Sequence, residues 1–123
     1  MNRFNFRAYI KEYNKIYRVY NLMENGDIAE CIDDNGNFVG DGFYKTDFVL
    51  MQSTGLVDKN GKEIFEGDVI QGEYEGKQFI FEVVWKKTSF CLRTGITTMS
   101  FANIIENIEV IGNIYENQEL LKK

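Results

Sequence analysis

The sequence predicts a mainly β protein, and three observations point to that class. Aromatic residues make up 15% of the 123-residue chain, and aromatic side chains fit the pleated, half-buried surface of a strand. Short runs alternate between apolar and polar residues, and Asn-Gly pairs separate several of them, as in β-hairpins. A chain of this length can bury a core without a metal or a disulfide. We expect one compact unit or two small lobes, divided into an N-terminal β region, residues 1–45, and a barrel-type region, residues 46–123.

The N-terminal region is predicted to be rich in β-hairpins. Its first strand alternates over residues 3–10, with one face formed by Phe4, Phe6, Ala8 and Ile10 and the other by Arg3, Asn5, Arg7 and Tyr9. A partner strand follows at 16–23, and Asn25-Gly26 predicts a hairpin into a third strand at 28–32. The glycine-rich stretch 33–42 is predicted to be a mobile or binding loop.

The densest turn chemistry lies in residues 50–70, LMQSTGLVDKNGKEIFEGDVI. A strand ends at Gln52, the STG that follows breaks it, and the chain folds back at an Asn-Gly pair. Further on, a glycine supplies an unusual backbone angle and the aspartate after it can hydrogen-bond the turn. These structural turn residues are Asn60, Gly61, Gly67 and Asp68. The turns build corners that deliver the next strand at a fixed angle, as at the start of a small barrel.

The rest of the chain supplies strands at a regular spacing, which is typical of a sandwich or barrel. Residues 72–87 predict a strand, a turn at Gly76 and a second strand, on which one face is formed by Phe79, Phe81, Val83 and Trp85. Trp85 is therefore predicted to lie in the core. Three further short strands and a frayed helical turn complete the chain.

The composition argues against an enzyme. The chain has no histidine, which excludes Ser-His-Asp and Cys-His nucleophiles and the commonest zinc ligand sets. The sequence has no phosphate-binding glycine motif, and neither Asp-x-Asn-Gly segment fits the calcium-loop pattern. We predict no catalytic residue, no metal site and no cofactor. The alternative, acid–base chemistry or a magnesium ion held by carboxylates, would use members of a cluster that we expect to lie in water: Glu63, Glu66, Asp68, Glu73 and Glu75.

The cysteines and the apolar runs suggest a compartment. Cys31 and Cys91 lie in strand-like apolar runs, where a free thiol behaves as a small apolar group. No apolar run approaches 18 residues, and the N-terminus lacks the apolar block of a signal peptide. We expect a cytoplasmic protein without a membrane contact.

Charge is distributed unevenly along the chain. Residues 1–20 carry five basic side chains and one acidic one, whereas residues 21–123 carry nine basic and eighteen acidic ones. Aromatic residues are interleaved with the basic ones, so this arm either packs on the acidic body or contacts a partner. The predicted interaction surface consists of Arg3, Arg7, Tyr9, Tyr13, Tyr17, Arg18 and Tyr20.

Several stretches resemble the YopX family of bacteriophage and prophage proteins. They are residues 50–70, FEVVW at 81–85 and the tail IEVIGNIYENQELL at 108–121, and the start at 2–20 is similar to the family's usual start. Tyr9 stands where the family usually has Trp, and Gln118 where Pro is usual, which should soften an aromatic contact and loosen the C-terminal turn. The resemblance implies an N-terminal β-rich region joined to a small SH3-like β-barrel. It implies no agreed catalytic or binding residues.

These observations lead to one main hypothesis and two alternatives from other classes. We expect a phage- or prophage-encoded accessory protein, made in the host bacterial cytoplasm, that binds a host or phage protein without catalysis. The first alternative is single-stranded nucleic-acid binding by the basic aromatic segment, with Arg and Lys on the backbone and aromatic rings stacked on bases. An enzyme acting through the carboxylate cluster comes last. We also expect self-association into a homo-oligomer, because strand edges and opposite charges are available for it.

Overall fold

The structure, a computed structural model, is mainly β. It describes residues 5–22, 28–33, 35–41, 48–86, 89–95, 97–100 and 106–121. This part of the chain forms eleven strands: β1 (Phe6–Ile10), β2 (Lys15–Leu22), β3 (Ile28–Ile32), β4 (Phe38–Asp41), β5 (Phe48–Val57), β6 (Glu63–Phe65), β7 (Asp68–Tyr74), β8 (Lys77–Lys86), β9 (Ser89–Thr94), β10 (Thr97–Ser100) and β11 (Glu106–Asn113). A 3₁₀ helix, Gln118–Leu121, follows β11. The predicted mainly β class is confirmed.

The strands form two sheets in which every described pairing is antiparallel. Their orders are β4-β3-β2-β1-β5-β6 and β10-β9-β8-β7-β11. The chain divides into two compact units, residues 1–52 and 53–123, and the boundary between them lies within β5. The first half of β5 pairs with β1 and its second half with β6.

The first unit is built on the hairpin of β1 and β2. Ala8 lies opposite Tyr17 in this pair, and β3 places Cys31 opposite Val19 of β2. One face of these strands forms a core of Ala8, Ile10, Tyr17 and Cys31, against which Val19, Phe48 and Leu50 pack. The predicted alternation of the first strand is confirmed for Phe6–Ile10. The predicted β2–β3 hairpin is confirmed by its pairing, and its Asn25-Gly26 turn lies outside the described residues.

Cys31 is a structural cysteine of this core. Its side chain is fully buried, and burial raises the pKa of its thiol to about 11. The thiol therefore stays protonated near neutral pH and packs as a small apolar group. Cys91 is half-buried on β9, and both cysteines are free.

The stretch 33–42 is mostly a hairpin. Phe38–Asp41 form strand β4, which pairs with β3, so the loop prediction was wrong for these residues. The chain between the two strands turns tightly from Asp33 to Asn37, with Gly36 at a φ of 83°. The glycine in this turn therefore serves hairpin geometry, since a positive φ is easy only for glycine.

The second unit begins inside β5, which does not end at Gln52. The strand continues to Val57, and the register shifts between Ser53 and Val57, where Gly55 has a φ of 80°. The STG segment is thus a bulge within a strand, not a break. The Ser53 hydroxyl accepts a hydrogen bond from the Gly55 N–H (3.0 Å), which satisfies one backbone donor of the bulge.

The core of the second unit covers one face of the five-stranded sheet. Phe81 and Val83 of β8 lie beside Ile70 of β7 and Leu92 of β9, and all four side chains are fully buried. Ile64 of β6 belongs to the same cluster, so β6 packs on this face. The cluster is extended by the half-buried residues Phe79, Phe90, Met99, Ile108 and Val110.

Two sequence-based expectations for the second unit fail. Trp85 shares a face with Phe81 and Val83 but is 49% exposed, because it lies at the end of β8 beyond the residues that the core covers. The SH3-like barrel is not confirmed: among the described residues the five-stranded sheet is open, with β10 and β11 as its edges, and the strands form no closed barrel.

The β7–β8 hairpin has a type I′ turn. Tyr74 pairs with Lys77, and the two residues between them, Glu75 and Gly76, have φ values of 51° and 79°. Positive φ at both central positions defines this turn and favours Asn-Gly. Glu75 is an unfavourable residue here, because its β-carbon makes the left-handed conformation costly.

We therefore predict that Glu75→Asn stabilises the second unit by about 0.5–1 kcal/mol, since asparagine tolerates the left-handed conformation better than glutamate. Urea unfolding followed by the fluorescence of the only tryptophan, Trp85, measures the change in the second unit. Gln78→Asn, an exposed strand position on the same hairpin, is the matched control and should be slightly destabilising. Equal or lower stability of Glu75→Asn would contradict the assignment of the turn.

Candidate functional site

The predicted basic and aromatic surface is divided between two faces of the first unit's sheet. Arg7 lies directly opposite Arg18 in the β1–β2 pair, so these two residues and Tyr9 lie on one face. Tyr17 lies opposite Ala8, on the other face, where it is only 9% exposed and belongs to the core. Arg3 and the Tyr20 side chain lie outside what the structure describes. The described members therefore do not form one surface.

The remaining predicted aromatic residues fix the turn between β1 and β2. Tyr13 is 48% exposed and meets the Tyr17 ring edge-on, with ring centroids 6.4 Å apart and an interplanar angle of 84°. The Tyr9 hydroxyl donates a hydrogen bond to the side-chain oxygen of Asn14, whose φ is 53°. Tyr9 is half-buried and thus makes a polar contact at the position where the family resemblance leads us to expect tryptophan.

The predicted turn residues Asn60 and Gly61 belong to a turn that is organised by Asp58. The Asp58 Oδ1 atom accepts hydrogen bonds from the N–H groups of Asn60 (2.8 Å) and Lys62 (2.9 Å). Its other oxygen, Oδ2, accepts one from the N–H of Val110 in β11 (2.9 Å). Gly61 has a φ of 82°, which closes the turn. Asp58 is buried, and the sequence reasoning did not identify it.

These hydrogen bonds determine the ionisation of Asp58. Burial raises the pKa of its carboxyl group. The hydrogen bonds from the N–H groups of Val110, Lys62 and Asn60, together with the positive charge of Lys62, lower the pKa by more than burial raises it. The net effect is a pKa below the ordinary value of 3.8. Asp58 is therefore a carboxylate at neutral pH, and it stabilises the fold in that form.

Gly67 and Asp68 form the second predicted corner. Gly67 has a φ of 89°, and its N–H donates to the carbonyl oxygen of Val83 (2.9 Å). The Asp68 side chain is buried, and its Oδ2 atom accepts the N–H of Phe65 (2.8 Å). This aspartate is a turn residue in a dry environment and not a solvated acidic group.

The other carboxylates of the predicted acidic cluster are not gathered into a metal site. Glu63, Glu66 and Glu73 are half-buried, and Glu75 is an exposed residue in the type I′ turn. Across the described ranges, no three or more Asp, Glu, Cys or His side chains converge as metal ligands would. The geometry therefore offers no support for the magnesium alternative.

The sequence reasoning missed two surface features of the second unit. Trp85 packs edge-on against Phe90, with ring centroids 4.8 Å apart and an interplanar angle of 71°, and it stays half exposed. On the opposite face of the sheet, Arg93 pairs with Glu82 (2.7 Å), and both residues line a groove of about 400 Å³. The groove is lined by Ile80, Glu82, Arg93, Thr94, Gly95, Leu120 and Leu121. The sequence signal for the first feature is the position of Trp85 at the end of its strand, followed by two lysines.

Comparison with known proteins assigns the chain to a family. A family model described as YopX protein matches residues 5–122, nearly the whole chain. The chain belongs to the YopX family. Among solved structures it is similar to the crystal structure of protein EF1440 from Enterococcus faecalis, with 27% sequence identity and a TM-score of 0.61. That alignment covers 96% of this chain and 97% of the other. A search of curated proteins gives no match.

The C-terminal stretch that resembles YopX proteins is a dense hydrogen-bonded turn. The side-chain oxygen of Asn113 accepts the N–H groups of Tyr115 (3.0 Å) and Glu116 (2.9 Å), and that of Asn117 accepts the N–H of Asn113 (3.1 Å). Position 112 has room only for glycine, because a β-carbon there would lie 2.6 Å from the Asn117 Oδ1 atom. The YopX-like tail thus folds into a hydrogen-bonded turn directly after β11.

The C-terminal 3₁₀ helix of this YopX protein starts at one of the two positions that depart from the family resemblance. Gln118 begins the 3₁₀ helix, and a first helical position suits either glutamine or the proline that the resemblance leads us to expect. Within the described residues, the helical structure lacks the length and apolar character that a membrane span requires.

We predict that Asp58→Asn destabilises the second unit by about 1–3 kcal/mol, because the amide nitrogen cannot accept one of the backbone N–H groups that the carboxylate binds. The pKa of Asp58 is lower in the folded protein than in the unfolded chain. Its contribution to stability is therefore complete above the pKa that Asp58 has in the unfolded chain, and it is lost as pH falls through the pKa in the folded protein. The stability gap between wild type and variant should be constant from about pH 5 to 8 and should shrink below about pH 4.

Urea unfolding at several pH values, followed by Trp85 fluorescence, measures this gap. Asp33→Asn is the matched control, because Asp33 organises a similar turn in the first unit without a bond to a further strand. It should change stability by less than about 0.5 kcal/mol. An Asp58→Asn gap that widens toward acid pH would contradict the stated role of the carboxylate.

Proposed function

We propose that the protein is a phage- or prophage-encoded accessory protein that acts in the host cytoplasm by binding another protein, without catalysis of its own. The observation that carries this proposal is the Trp85–Phe90 pair. A half-exposed tryptophan is held in place by an aromatic neighbour at the end of a hairpin. Tryptophan is the residue type most enriched at the energetic centres of protein interfaces, because a rigid aromatic ring buries a large area at low entropic cost.

The packing of the pair supports an interface more than an accidental exposure. Trp85 lies directly opposite Phe90 in the β8–β9 pairing, so the hairpin holds both rings on one face. Their contact continues the core row of Val83 and Leu92, which are fully buried. A partner that covers Trp85 would therefore extend an existing apolar cluster and would not need to order a mobile side chain.

The phage setting and the lack of catalysis rest on family membership and on sequence chemistry. The YopX resemblance supplies the phage and prophage context, and the chain contains no histidine. A non-enzymatic binding role is consistent with a chain whose buried aspartates, Asp58 and Asp68, are both used by backbone N–H groups in turns.

The test is capture of partners from a nuclease-treated lysate of the bacterial host by tagged wild-type protein and by Trp85→Ala. We expect any specific protein partner to be retained at least tenfold less by the variant, since hot-spot aromatic residues contribute about 2 kcal/mol or more. Val57→Ala is the matched control, because Val57 is an apolar side chain that is 63% exposed on another strand. If Trp85→Ala retains every partner as wild type does, the surface is misassigned.

A second candidate function, single-stranded nucleic-acid binding, is favoured by the placement of Arg7 and Arg18. The two guanidinium groups lie on directly opposed residues of β1 and β2, and Tyr9 lies on the same face. Cations beside an aromatic ring suit the backbone and bases of a single strand. This surface differs from the Trp85 surface, so the two candidates can be tested separately.

We predict for this second candidate that affinity for a labelled poly-dT strand falls steeply with salt, and that Arg18→Gln lowers the slope of log K against log [salt] by about one. Fluorescence anisotropy between low and moderate salt measures the slope. Arg93→Gln is the control, because it removes a basic charge from β9 of the second unit, whereas Arg18 belongs to the first. A flat salt response, or no binding at low salt, would dismiss the nucleic-acid function.

A further inference from the structure

The edges of the two sheets differ in their protection against further strand pairing. The described strands form four edges, β4, β6, β10 and β11. An edge presents backbone N–H and C=O groups to a new strand, and proteins commonly protect it with charged side chains or a covering segment. β4 ends at Asp41, and β6 begins at Glu63. β11 carries Glu106 and Glu109, and the turn of residues 58–62 forms hydrogen bonds with it.

β10 is the edge that lacks both kinds of protection. All of its residues, Thr97–Ser100, are uncharged. Among the described strands its one neighbour is β9, so the side of β10 away from β9 carries no strand. Threonine is a residue type that strands favour, and an uncharged edge does not repel a new strand.

The apolar core of the second unit reaches this edge. Val83 of β8 lies opposite Leu92 of β9, and Leu92 lies opposite Met99 of β10, so the three side chains form one row across the sheet. Val83 and Leu92 are fully buried, whereas Met99 is half-buried and packs on the same cluster. Met99 therefore presents apolar surface beside an edge that can accept another strand.

We propose that β10 pairs with β10 of a second copy of the chain, antiparallel, so that two five-stranded sheets join into one of ten strands. A two-fold axis perpendicular to the sheet relates the copies and keeps both core faces on the same side. Opposed residues must share a face, so the axis passes through a residue position and not between two. The register centred on Met99 places the two Met99 side chains opposite each other and joins the two core rows end to end.

Charge favours a second copy at β10 over self-pairing at another edge. In the register centred on Met99, Thr98 lies opposite Ser100 of the second copy, so uncharged side chains meet on the other face of the sheet. Self-pairing of β4, β6 or β11 would instead place carboxylates on both sides of the interface. The chain has a net charge of −5, so two copies repel each other least where an uncharged edge meets its equivalent.

This inference goes beyond the proposed function and does not depend on it. Met99 lies on β10, whereas Trp85 lies on β8. Trp85→Ala should therefore leave the association of two copies unchanged, and the two proposals can fail separately.

The first test is sedimentation equilibrium at concentrations up to about 1 mM, because small interfaces are typical of weak association. Wild type should move from the 14.3 kDa monomer toward twice that mass. Met99→Lys should raise the dissociation constant at least tenfold, because two ammonium groups would face each other across the axis. Met99→Leu, which keeps an apolar side chain, is the matched control and should associate as wild type does. The urea unfolding transition of each variant shows whether it is folded.

Crosslinking reads the register directly and does not require Met99→Lys to fold. Met99→Cys and Thr97→Cys are each made in a Cys91→Ser background, because Cys91 is a half-buried free thiol, whereas Cys31 is fully buried. In the proposed register, the β-carbons of the two residues at position 99 lie about 5 Å apart, and those at position 97 about 14 Å apart. A short bis-maleimide should therefore link Met99→Cys at least fivefold faster than Thr97→Cys.

Three results would overturn the proposal: a mass of 14.3 kDa at every concentration, equal association of folded Met99→Lys and wild type, or crosslinking of Thr97→Cys as fast as that of Met99→Cys. A monomeric wild type that captures a host protein through β10, with capture lost in Met99→Lys, would also overturn it. That result would assign the edge to a strand of another protein.

Discussion

The second unit depends on one buried carboxylate. Asp58 lies at the corner between β5 and β6, and its two oxygens accept N–H groups from its own turn and from Val110, 52 residues along the chain. A buried charge is costly unless hydrogen bonds replace its lost hydration, and here backbone donors do so. The bond gives β11 a neighbour on the side away from β7. The last strand of the sheet is thereby protected along part of an edge that would otherwise be open.

The bulge in β11 is coupled to this carboxylate. The register of β11 against β7 shifts between Glu106 and Glu109, and Asn107 has a φ of 54°. The turn of residues 58–62 forms hydrogen bonds with β11 immediately after this point, at Ile108 and Val110. A bulge turns backbone N–H and C=O groups out of the hydrogen-bond ladder between two strands. The turn forms hydrogen bonds with those groups, as acceptor and as donor. The turn after β5 is thereby held against β11, the last described strand of the unit.

Local pattern predicted the strands well, because period-two alternation and Asn-Gly pairs act over a few residues. It predicted the hairpin at Asn60-Gly61 but not the burial of Asp58, since the Val110 donor is remote in sequence. It placed Trp85 in the core because alternation indicates a face and not how far the covering layer extends. It treated Gly55 as a strand end, although a positive φ can equally form a bulge inside a strand. The interaction surface was grouped by composition, whereas the register of β1 and β2 separates Tyr17 from Arg7 and Arg18.

β5 also bears on how this protein can evolve. The strand runs from Phe48 to Val57, and the boundary between the two compact units lies within it. A recombination event that exchanged one unit would have to cut a hydrogen-bonded strand, leaving β1 or β6 without its neighbour. Modules that are shuffled between genes are usually joined at exposed linkers, where few contacts cross. The two halves of this chain should therefore be inherited as one piece, in line with a family match that runs from residue 5 to residue 122.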